Sequence, residues 1–402
     1  MQRRKFIASA ACAAASAYLM ACNHLVSGGT PAPTSPAQPA RDVTHHRFGV
    51  NYTPTQNWWY CWNNWDIDSI NQDLDDIASL GADHLRIFPI WPVFQTSATS
   101  VSNAYLDLLG QMLTEMEARG LDAVLPVFTG QLSGNFFLPA FNETGAAFYT
   151  DSDMFSAQTV YIQALATMMK QHDNIIGFDF GNEIDTCWNA DTSAGDPWMA
   201  NMFALMNSAY PGGIHVNGVG SNPWFYPETF SAQALAAAAL PVMHAYPFYC
   251  GSLNYGGPMD PPSTQLLAAL AALIRAYAGN AQTPVWAGEY NTCIESLTET
   301  QQAAWLETAT TSAIENGVCW FTYWDSHDLN PKFTNFASLE YSLGLFTNNG
   351  VIKQQGQTYK QLIASYGGKP VVIPASTLPP PPAAPDTDST WQWLLDFLQW
   401  KP

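Results

Sequence analysis

The chain is short of positive charge. Its 402 residues hold 14 Lys and Arg against 33 Asp and Glu, a formal net charge of −19, and only 12% of residues are charged at all. A nucleic-acid surface needs clustered basic side chains to replace the counterions of the phosphates, so this composition excludes the usual nucleic-acid binder. Metal-type cysteine spacing is also missing. None of the seven cysteines forms a C-x-x-C pair, which leaves a zinc centre with little support. No candidate strand ends in His-x-His, and the His45–His46 pair precedes the first of them. A metal-dependent barrel hydrolase therefore lacks a ligand set. No G-x-G-x-x-G follows the first strand, which counts against a dinucleotide fold. No metal or cofactor is expected.

Apolar residues are abundant: 47% of the chain is hydrophobic and 13% aromatic, with 15 Trp and 17 Tyr. That can bury a large core, and an α/β barrel of this length often forms one domain. Trp and Tyr also suit sugar surfaces, because rings stack on C–H faces while polar tips bond hydroxyls, although most aromatics in any chain pack the core.

The start reads as an export segment. "MQRRKFIASAACAAASAYLMAC" has a basic head (Arg3, Arg4, Lys5) and an apolar, Ala-rich run too short to span and stop as a membrane helix. "RRKFI" resembles a twin-arginine signal, and "LMAC" resembles a bacterial lipobox that would make Cys22 the lipidated first residue. A simple secretory cleavage nearby is the alternative. Residues 1–21 are thus assigned to the signal and 22–42 to a Pro/Ser/Thr-rich tether without apolar period. Its 19 residues after Cys22 reach roughly 60 Å when extended. The expected location is a bacterial lipoprotein, periplasmic or at the outer membrane or cell surface, touching membrane only through the anchor.

From Arg47 short apolar runs alternate with amphipathic, Ala/Leu-rich stretches. The runs are "RFGVNY", "HLRIFPIW", "LDAVLPVF", "IIGFDFGNE", "GIHVNGVG", "LPVMHAY", "PVWAGEY" and "VCWFTYW". Between the first two, Ile67, Ile70, Leu74, Ile77 and Leu80 recur at helical spacing, with Asp66 as N-cap and Gly81 as stop. Thr298 and Gln301 form a capping-box pattern before another helix. Eight strands alternating with helices over residues 43–367 predict an α/β fold, a (β/α)8 TIM barrel in a single catalytic domain. A Pro-rich segment, 368–390, and a Trp-rich end, 391–402, follow. The end is expected to dock on the barrel as a short helix, since it lacks the basic face of an interfacial anchor.

In a barrel the reactive groups sit at the C-terminal strand ends. Polar residues do collect there: Asn51 and Tyr52 on the first run, Arg86 and Trp91 on the second, Thr129 and Gln131 on the third, Asn182 and Glu183 on the fourth. His244 and Tyr246 end the sixth, Glu289 the seventh, and Trp324 and Asp325 the eighth, with His327 just beyond. Two carboxyls across a barrel mouth can split a glycosidic bond, one giving the leaving oxygen a proton and the other meeting the oxocarbenium carbon. Their surroundings must then differ, so that one stays protonated and the other ionised. Glu183 is the acid/base candidate and Glu289 the nucleophile candidate. Asn182 could bond the sugar 2-hydroxyl, Arg86 could keep Glu289 ionised, Tyr246 could aim Glu289, and His244 could bond a hydroxyl or tune the acid. Each residue alone is more often structural; the set in strand order carries the reading.

Arg86, "GNE", "HAY", "GEY" and Trp324 on successive strands resemble glycoside hydrolase family 5, within the clan A retaining glycosidases, over about residues 47–366. The resemblance implies that the fourth-strand Glu is the acid/base and the seventh-strand Glu the nucleophile, in agreement with the direct reading. Many members carry a His at the end of the third strand; here the run is "VFTGQLSG", and Gln131 takes that place. "FGVNYTP", "WWYCWNNW", "DLDDIASLGADHLRIFPIWPVFQ" and "LSGNFFLP" are similar to the exo-β-mannosidase branch, which removes mannose β-1,4-linked to N-acetylglucosamine, the N-glycan core linkage. An endo-acting β-1,4-mannanase or β-1,4-glucanase stays open, as does a non-catalytic carbohydrate-binding lipoprotein.

The long segments Thr53–Trp65, Pro247–Pro262 and Ser326–Leu343 suit walls of a pocket rather than an open cleft. Trp324 is the expected sugar platform at the cleavage point, with Trp58, Trp59, Trp91, Trp188 and Trp224 as further platforms. Asn51, Tyr52, Gln131 and His327 are further substrate contacts. Cys61, Cys187, Cys250 and Cys293 fall on loops of the same face; Cys250–Cys293 is the expected disulfide, and Cys319 a buried thiol.

Overall fold

The computed structural model describes residues 42–142, 148–188, 190–375 and 377–401. The export signal, Cys22 and nearly all of the tether lie outside them. Seven strands form one parallel sheet: β1 Arg47–Tyr52, β2 His84–Ile87, β3 Asp122–Phe128, β4 Ile175–Gly181, β5 Val242–Ala245, β6 Trp286–Tyr290 and β7 Trp320–Tyr323. Their order is β4-β3-β2-β1-β7-β6-β5. Every residue of all seven is buried, which is why they read as continuous apolar runs rather than alternating ones.

The fifth run does not become a regular strand. It makes an isolated parallel bridge from Val216 to Asp179, with Ile214 N and Val216 N donating to β4 carbonyls at 2.9 Å. On its other side the contact passes to a side chain: Asn217 Oδ1 accepts from Val242 N of β5 at 3.0 Å. The cause lies at Gly218, whose N–H donates to Asp179 Oδ1 at 2.8 Å. A Cβ there would lie 2.2 Å from Asp179 Oδ2, so the backbone turns in toward a buried carboxylate instead of running on alongside β5. This one-sided segment occupies the gap between β4 and β5, and the architecture is a (β/α)8 TIM barrel.

The outer helices are α1 Ile67–Ser79, α2 Asn103–Glu117, α3 Ser152–Met169, α4 Thr192–Ala209, α5 Ala232–Ala236, α6 Leu266–Tyr277, α7 Glu299–Glu315 and α8 Gln354–Tyr366. Asp66 caps α1 through Ser69 N, and Thr298 and Gln301 close the capping box of α7, satisfying N–H groups that the helix leaves free. The barrel interior carries a cluster of its own, with Val124, Ile176, Val216, Val242, Trp286 and Trp320 packed together. Near the strand starts, Arg47 bridges Asp83 at 3.0 Å and Asp122 at 2.8 Å and lies over Trp320.

The sequence of α6, "LLAALAALIRAY", is apolar on all sides, which marks a helix covered all round. Its cover is α9, Thr387–Leu398, whose Leu394 and Trp391 are fully buried. Trp391 Nε1 donates to Cys250 O at 2.9 Å, Thr390 Oγ1 to Phe225 O at 2.9 Å, and Trp400 Nε1 to Tyr255 O at 2.9 Å. The chain end thus ties down the loop that follows β5. Among the described residues no helix is long and apolar enough to cross a membrane.

The expected Cys250–Cys293 disulfide is not formed; Cys61, Cys187, Cys250, Cys293 and Cys319 are all free. The two thiols serve different surroundings. Cys250 sits in a turn clamped by Tyr246 O and by Trp391, whereas Cys293 faces the pocket described below. Cys319 is buried, as expected, with its Sγ donating to Val285 O.

Trp391→Ala empties the contact between α9, α6 and the loop after β5. It is expected to destabilise the protein by about 3–5 kcal/mol, read as a lower urea midpoint followed by circular dichroism. An unchanged midpoint would show that α9 adds nothing to the barrel.

Candidate active site

The site begins with two backbone devices. After Gly181 the chain turns sharply, with Glu183 in the left-handed region at φ 47°. A non-glycine residue rarely adopts this conformation, and it clusters at functional sites. Asn182 N to Phe128 O at 3.0 Å and Glu183 N to Gly218 O at 2.8 Å hold the turn. The second device is a bulge in β6: Ala287 pairs with Met243, but Glu289, not Gly288, pairs with His244. The extra residue re-aims the side chain that follows. Asn51 pins the bulge, its Nδ2 donating to Gly288 O at 3.0 Å and to the β7 carbonyls of Thr322 and Tyr323 at 3.3 Å.

These devices bring two carboxyls together. One oxygen of Glu183, one of Glu289 and a ring nitrogen of His244 all lie within 4.8 Å of one another. Glu289 is buried and doubly held: Arg86 Nη1 donates to Oε1 at 2.5 Å and the Tyr246 hydroxyl to Oε2 at 2.7 Å. The other edge of Arg86 grips Asp179 Oδ2 through Nε at 2.8 Å and Nη2 at 2.7 Å. Glu183 has one partner, His244 Nδ1 at 2.9 Å, and keeps a fifth of its side chain exposed.

The environments separate the two acids. Burial lifts Glu183 to about 7, only partly opposed by the Arg86 charge. Burial, joined by the neighbouring Glu183 charge, also pushes Glu289 up, against the pull of Arg86 and the Tyr246 hydroxyl. Glu289 therefore has a cation and a phenol to stabilise its charge, and Glu183 has only an imidazole. Burial lowers His244 to about 4, so that ring is neutral near pH 7. Two donors on the Glu289 oxygens against one imidazole on Glu183 make Glu289 the better-stabilised anion of the pair. Burial would lower Arg86, but Asp179 and Glu289 outweigh it and raise the guanidinium further. Glu183, His244 and Glu289 also have the ligand types for a divalent cation. Both Glu289 oxygens, however, already accept donors, one of them a cation.

The pocket over this pair measures about 440 Å³, within the range of small-ligand sites, roughly 300–1,000 Å³. Asn182, Glu183, Tyr246, Glu289, Gln131 and Trp324 line it. Asn182 Nδ2 is spent on Gln131 O at 2.6 Å, which leaves Oδ1 unpartnered. The Gln131 side chain is engaged by Thr186 at 2.8 Å.

Several expected contacts are packing or support instead. Asn51 is bonded out to Gly288 and Arg86, and Tyr52 gives its hydroxyl to Asp73 at 3.0 Å. Trp91 is sealed among Phe128, Phe141 and Phe148 and bonds Gln95 at 2.7 Å. Trp188 stacks on Phe148 with centroids 3.6 Å apart. Trp58 and Trp224 are fully buried, and Trp59 packs behind Trp324. His327 lies between Ser326 and Asp76, stacked on Phe346. In each case burial of a large ring outweighs its worth as a platform. Among the described residues, Trp324 is the only indole that lines the pocket, whereas Phe136, Phe248 and Tyr249 stand more than half exposed.

The walls also differ from the expected set. The segment after β1 stays behind Trp324, and the hairpin of Gln131–Leu132 with Asn135–Phe136 contributes a wall instead. Sequence reasoning missed Asp179, Tyr249 and Glu340. Asp179 carried a signal, a lone acid inside an apolar strand at even spacing from Glu183. Glu340, in the loop "FASLEYSLG", carried none.

No protein-family model and no curated protein matches the chain. Solved structures do. A GH5_18 variant from Streptomyces cattleya in complex with Manβ1-4GlcNAc is 27% identical, with a TM-score of 0.81 over 88% of this chain and 92% of that one. A GH5_18 protein from Bifidobacterium longum subsp. longum is 25% identical, with a TM-score of 0.79 over 89% and 91%. An exo-β-1,4-mannosidase from Opitutaceae bacterium strain TAV5, 23% identical with a TM-score of 0.73 over 80% and 60%, shares the fold.

A carboxyl raised by burial contributes its stability below its unfolded pKa and loses it as pH rises through the folded value. For Glu183 that window runs from about 4.5 to about 7. Glu183→Gln removes the buried charge, so it should melt roughly 2–5 °C above the parent at pH 8.5 and level with it at pH 4.5. A pH-independent difference in calorimetry would contradict the assigned environment.

Proposed function

We propose that this chain, a glycosidase of glycoside hydrolase family 5 from its exo-β-mannosidase branch, releases single mannose residues from β-1,4-linked oligosaccharides of the N-glycan core type. In this reading it works with retention, Glu289 as nucleophile and Glu183 as acid/base. The observation that carries the mechanism is the approach of the two carboxyl oxygens to within 4.8 Å. A retaining pair needs about 5–5.5 Å between carboxyls, whereas an inverting pair leaves roughly 6.5–9.5 Å for a water. The choice of sugar is supported by the Manβ1-4GlcNAc complex of the Streptomyces cattleya protein.

The steps balance as follows. A Glu289 oxygen bonds to the anomeric carbon as the glycosidic C–O bond breaks, and Glu183 hands its proton to the departing oxygen. The ester consumes the charge on Glu289, so Glu183 loses a repelling neighbour and its proton affinity falls. It can then take a proton from water, whose oxygen attacks the anomeric carbon and frees Glu289. The net change is one glycosidic bond hydrolysed. Arg86 and Tyr246 hold Glu289 ionised and aimed, His244 steadies Glu183, and the free Asn182 oxygen accepts from the hydroxyl beside the anomeric carbon. Trp324 lies under the ring.

Product analysis on Manβ1,4GlcNAc, mannohexaose and cellohexaose tests the substrate. Free mannose from the disaccharide with little attack on the hexaoses is expected; internal cuts would turn the reading to an endo-acting mannanase or glucanase. The kcat/KM profile should fall above pH about 7 as Glu183 loses its proton. Glu183→Gln should cost about 10²–10⁴-fold on the disaccharide yet keep a burst with a dinitrophenyl mannoside, whose leaving group needs no acid. Glu289→Gln should show neither turnover nor burst, and equal behaviour of the two variants would refute the division of roles.

The same reading places the enzyme outside the cytoplasm, tethered through lipid on Cys22. Cys22→Ala should abolish incorporation of a labelled fatty acid in the native host and release the activity to the soluble fraction. Labelling that survives the substitution would remove the anchor.

A further inference from the structure

Glu340 is a buried acid without an assigned task. It sits on the short helical turn Ser338–Tyr341 in the loop after β7, is only 7% exposed, and lines the pocket. Its Oε2 has no hydrogen-bond partner. Burial raises it to about 7; Ser133 and Trp324 pull it down, and the charge of Glu289 pushes it up. Ser133 and Trp324 are neutral hydrogen-bonding groups, so no ion pair among the described residues repays the burial of a charge here. Asp325, a buried acid nearby, adds to the cost, since it and Glu340 repel one another when charged.

The position of the Glu340 carboxyl limits what it can meet. Ser133, on the hairpin after β3, also lines the pocket, and its hydroxyl is a hydrogen-bonding neighbour of the Glu340 carboxyl. In the strand order β3 and β7 are separated only by β2 and β1. The two loops meet at Ser133 and Glu340 and line the pocket beside Trp324. Glu340 thus lines the pocket beside Trp324 and within electrostatic reach of Glu289.

We propose that Glu340 is a specificity-determining residue that accepts a hydrogen bond from a hydroxyl of the terminal sugar remote from the anomeric carbon. The inference rests on the glycosidase reading of the pocket. Contact with a terminal hydroxyl also sets the pocket's blind end, because a further sugar linked there would meet the Glu340 and Ser133 loops. A site built to bond a hydroxyl rejects the analogue lacking it, since its own buried polar group is then left unpaired.

The test uses the whole enzyme, aryl β-glycosides and their 3-, 4- and 6-deoxy analogues. Glu340→Ala is expected to lose about tenfold or more in kcat/KM on the parent glycoside, the scale of one hydrogen bond to a charged group. The loss should fall mainly on KM and shrink below about threefold on one deoxy analogue. Glu340→Gln, which keeps the shape, should show the same coupling if the alanine variant does not fold. A smaller loss on the parent, or an equal loss on every analogue, overturns the proposal and leaves Glu340 a structural residue. If the wild type hydrolyses β-glucosides or β-galactosides but not β-mannosides, the mannose reading falls. The coupling is then measured in that series, where it still decides the role of Glu340.

Discussion

One guanidinium holds the site together. Arg86 is buried between two carboxylates, Asp179 on β4 and Glu289 on β6, and its remaining hydrogen bond goes to Asn51 on β1. A charge buried to this depth is costly unless it is paired and fully bonded. Each member of the network therefore requires the others. Asp179 needs Arg86 and also takes the N–H of Gly218, which bends the fifth segment inward. Asn51 needs the bulge carbonyl at Gly288, which aims Glu289. Two irregular features of the barrel, the one-sided segment and the β6 bulge, lie on this network and deliver polar groups to the mouth.

The same network makes two chemically identical acids unlike. Glu289 lies inside it and receives a cation and a phenol. Glu183 stands at its edge on a strained backbone, bonded to a neutral imidazole. Desolvation acts on both, but only one is compensated, so one carboxyl can be charged while its neighbour keeps a proton. The protein bears the cost of Glu183 and Glu340, each raised to about 7. Buried acids raised in this way are typical of a site kept ready for a ligand rather than for stability.

Aromatic residues are distributed by a different rule. Most indoles pack beneath the mouth, where a large apolar ring gains most from burial. Trp91, Trp188 and Phe148 fill the wall between β3 and β4, and Trp59 backs Trp324. They shape the pocket from behind. Phe136, Phe248 and Tyr249, on hairpin and loop, are the rings left exposed. The loop carrying Phe248 and Tyr249 is braced from outside by α9, so the last helix of the chain supports the rim of the site.

Helix and strand periods, caps at Asp66 and Thr298, and the order of polar strand ends were legible in the sequence because each depends on residues near one another along the chain. Those signals were enough for the barrel and for placing Glu183, Glu289, Arg86, His244 and Tyr246 at the strand ends of one face, where the structure brings them together. What remained hidden depends on contacts between distant segments. Which tryptophan faces the pocket is decided by what covers the others. Whether Asn51 meets substrate or a bulge carbonyl is decided by a register shift in β6, 237 residues away. Whether Cys250 and Cys293 join is decided by the turn and pocket wall that hold them. Glu340 entered the site because a loop with no periodicity folds over the barrel, and only the tertiary structure brings its carboxyl beside Trp324.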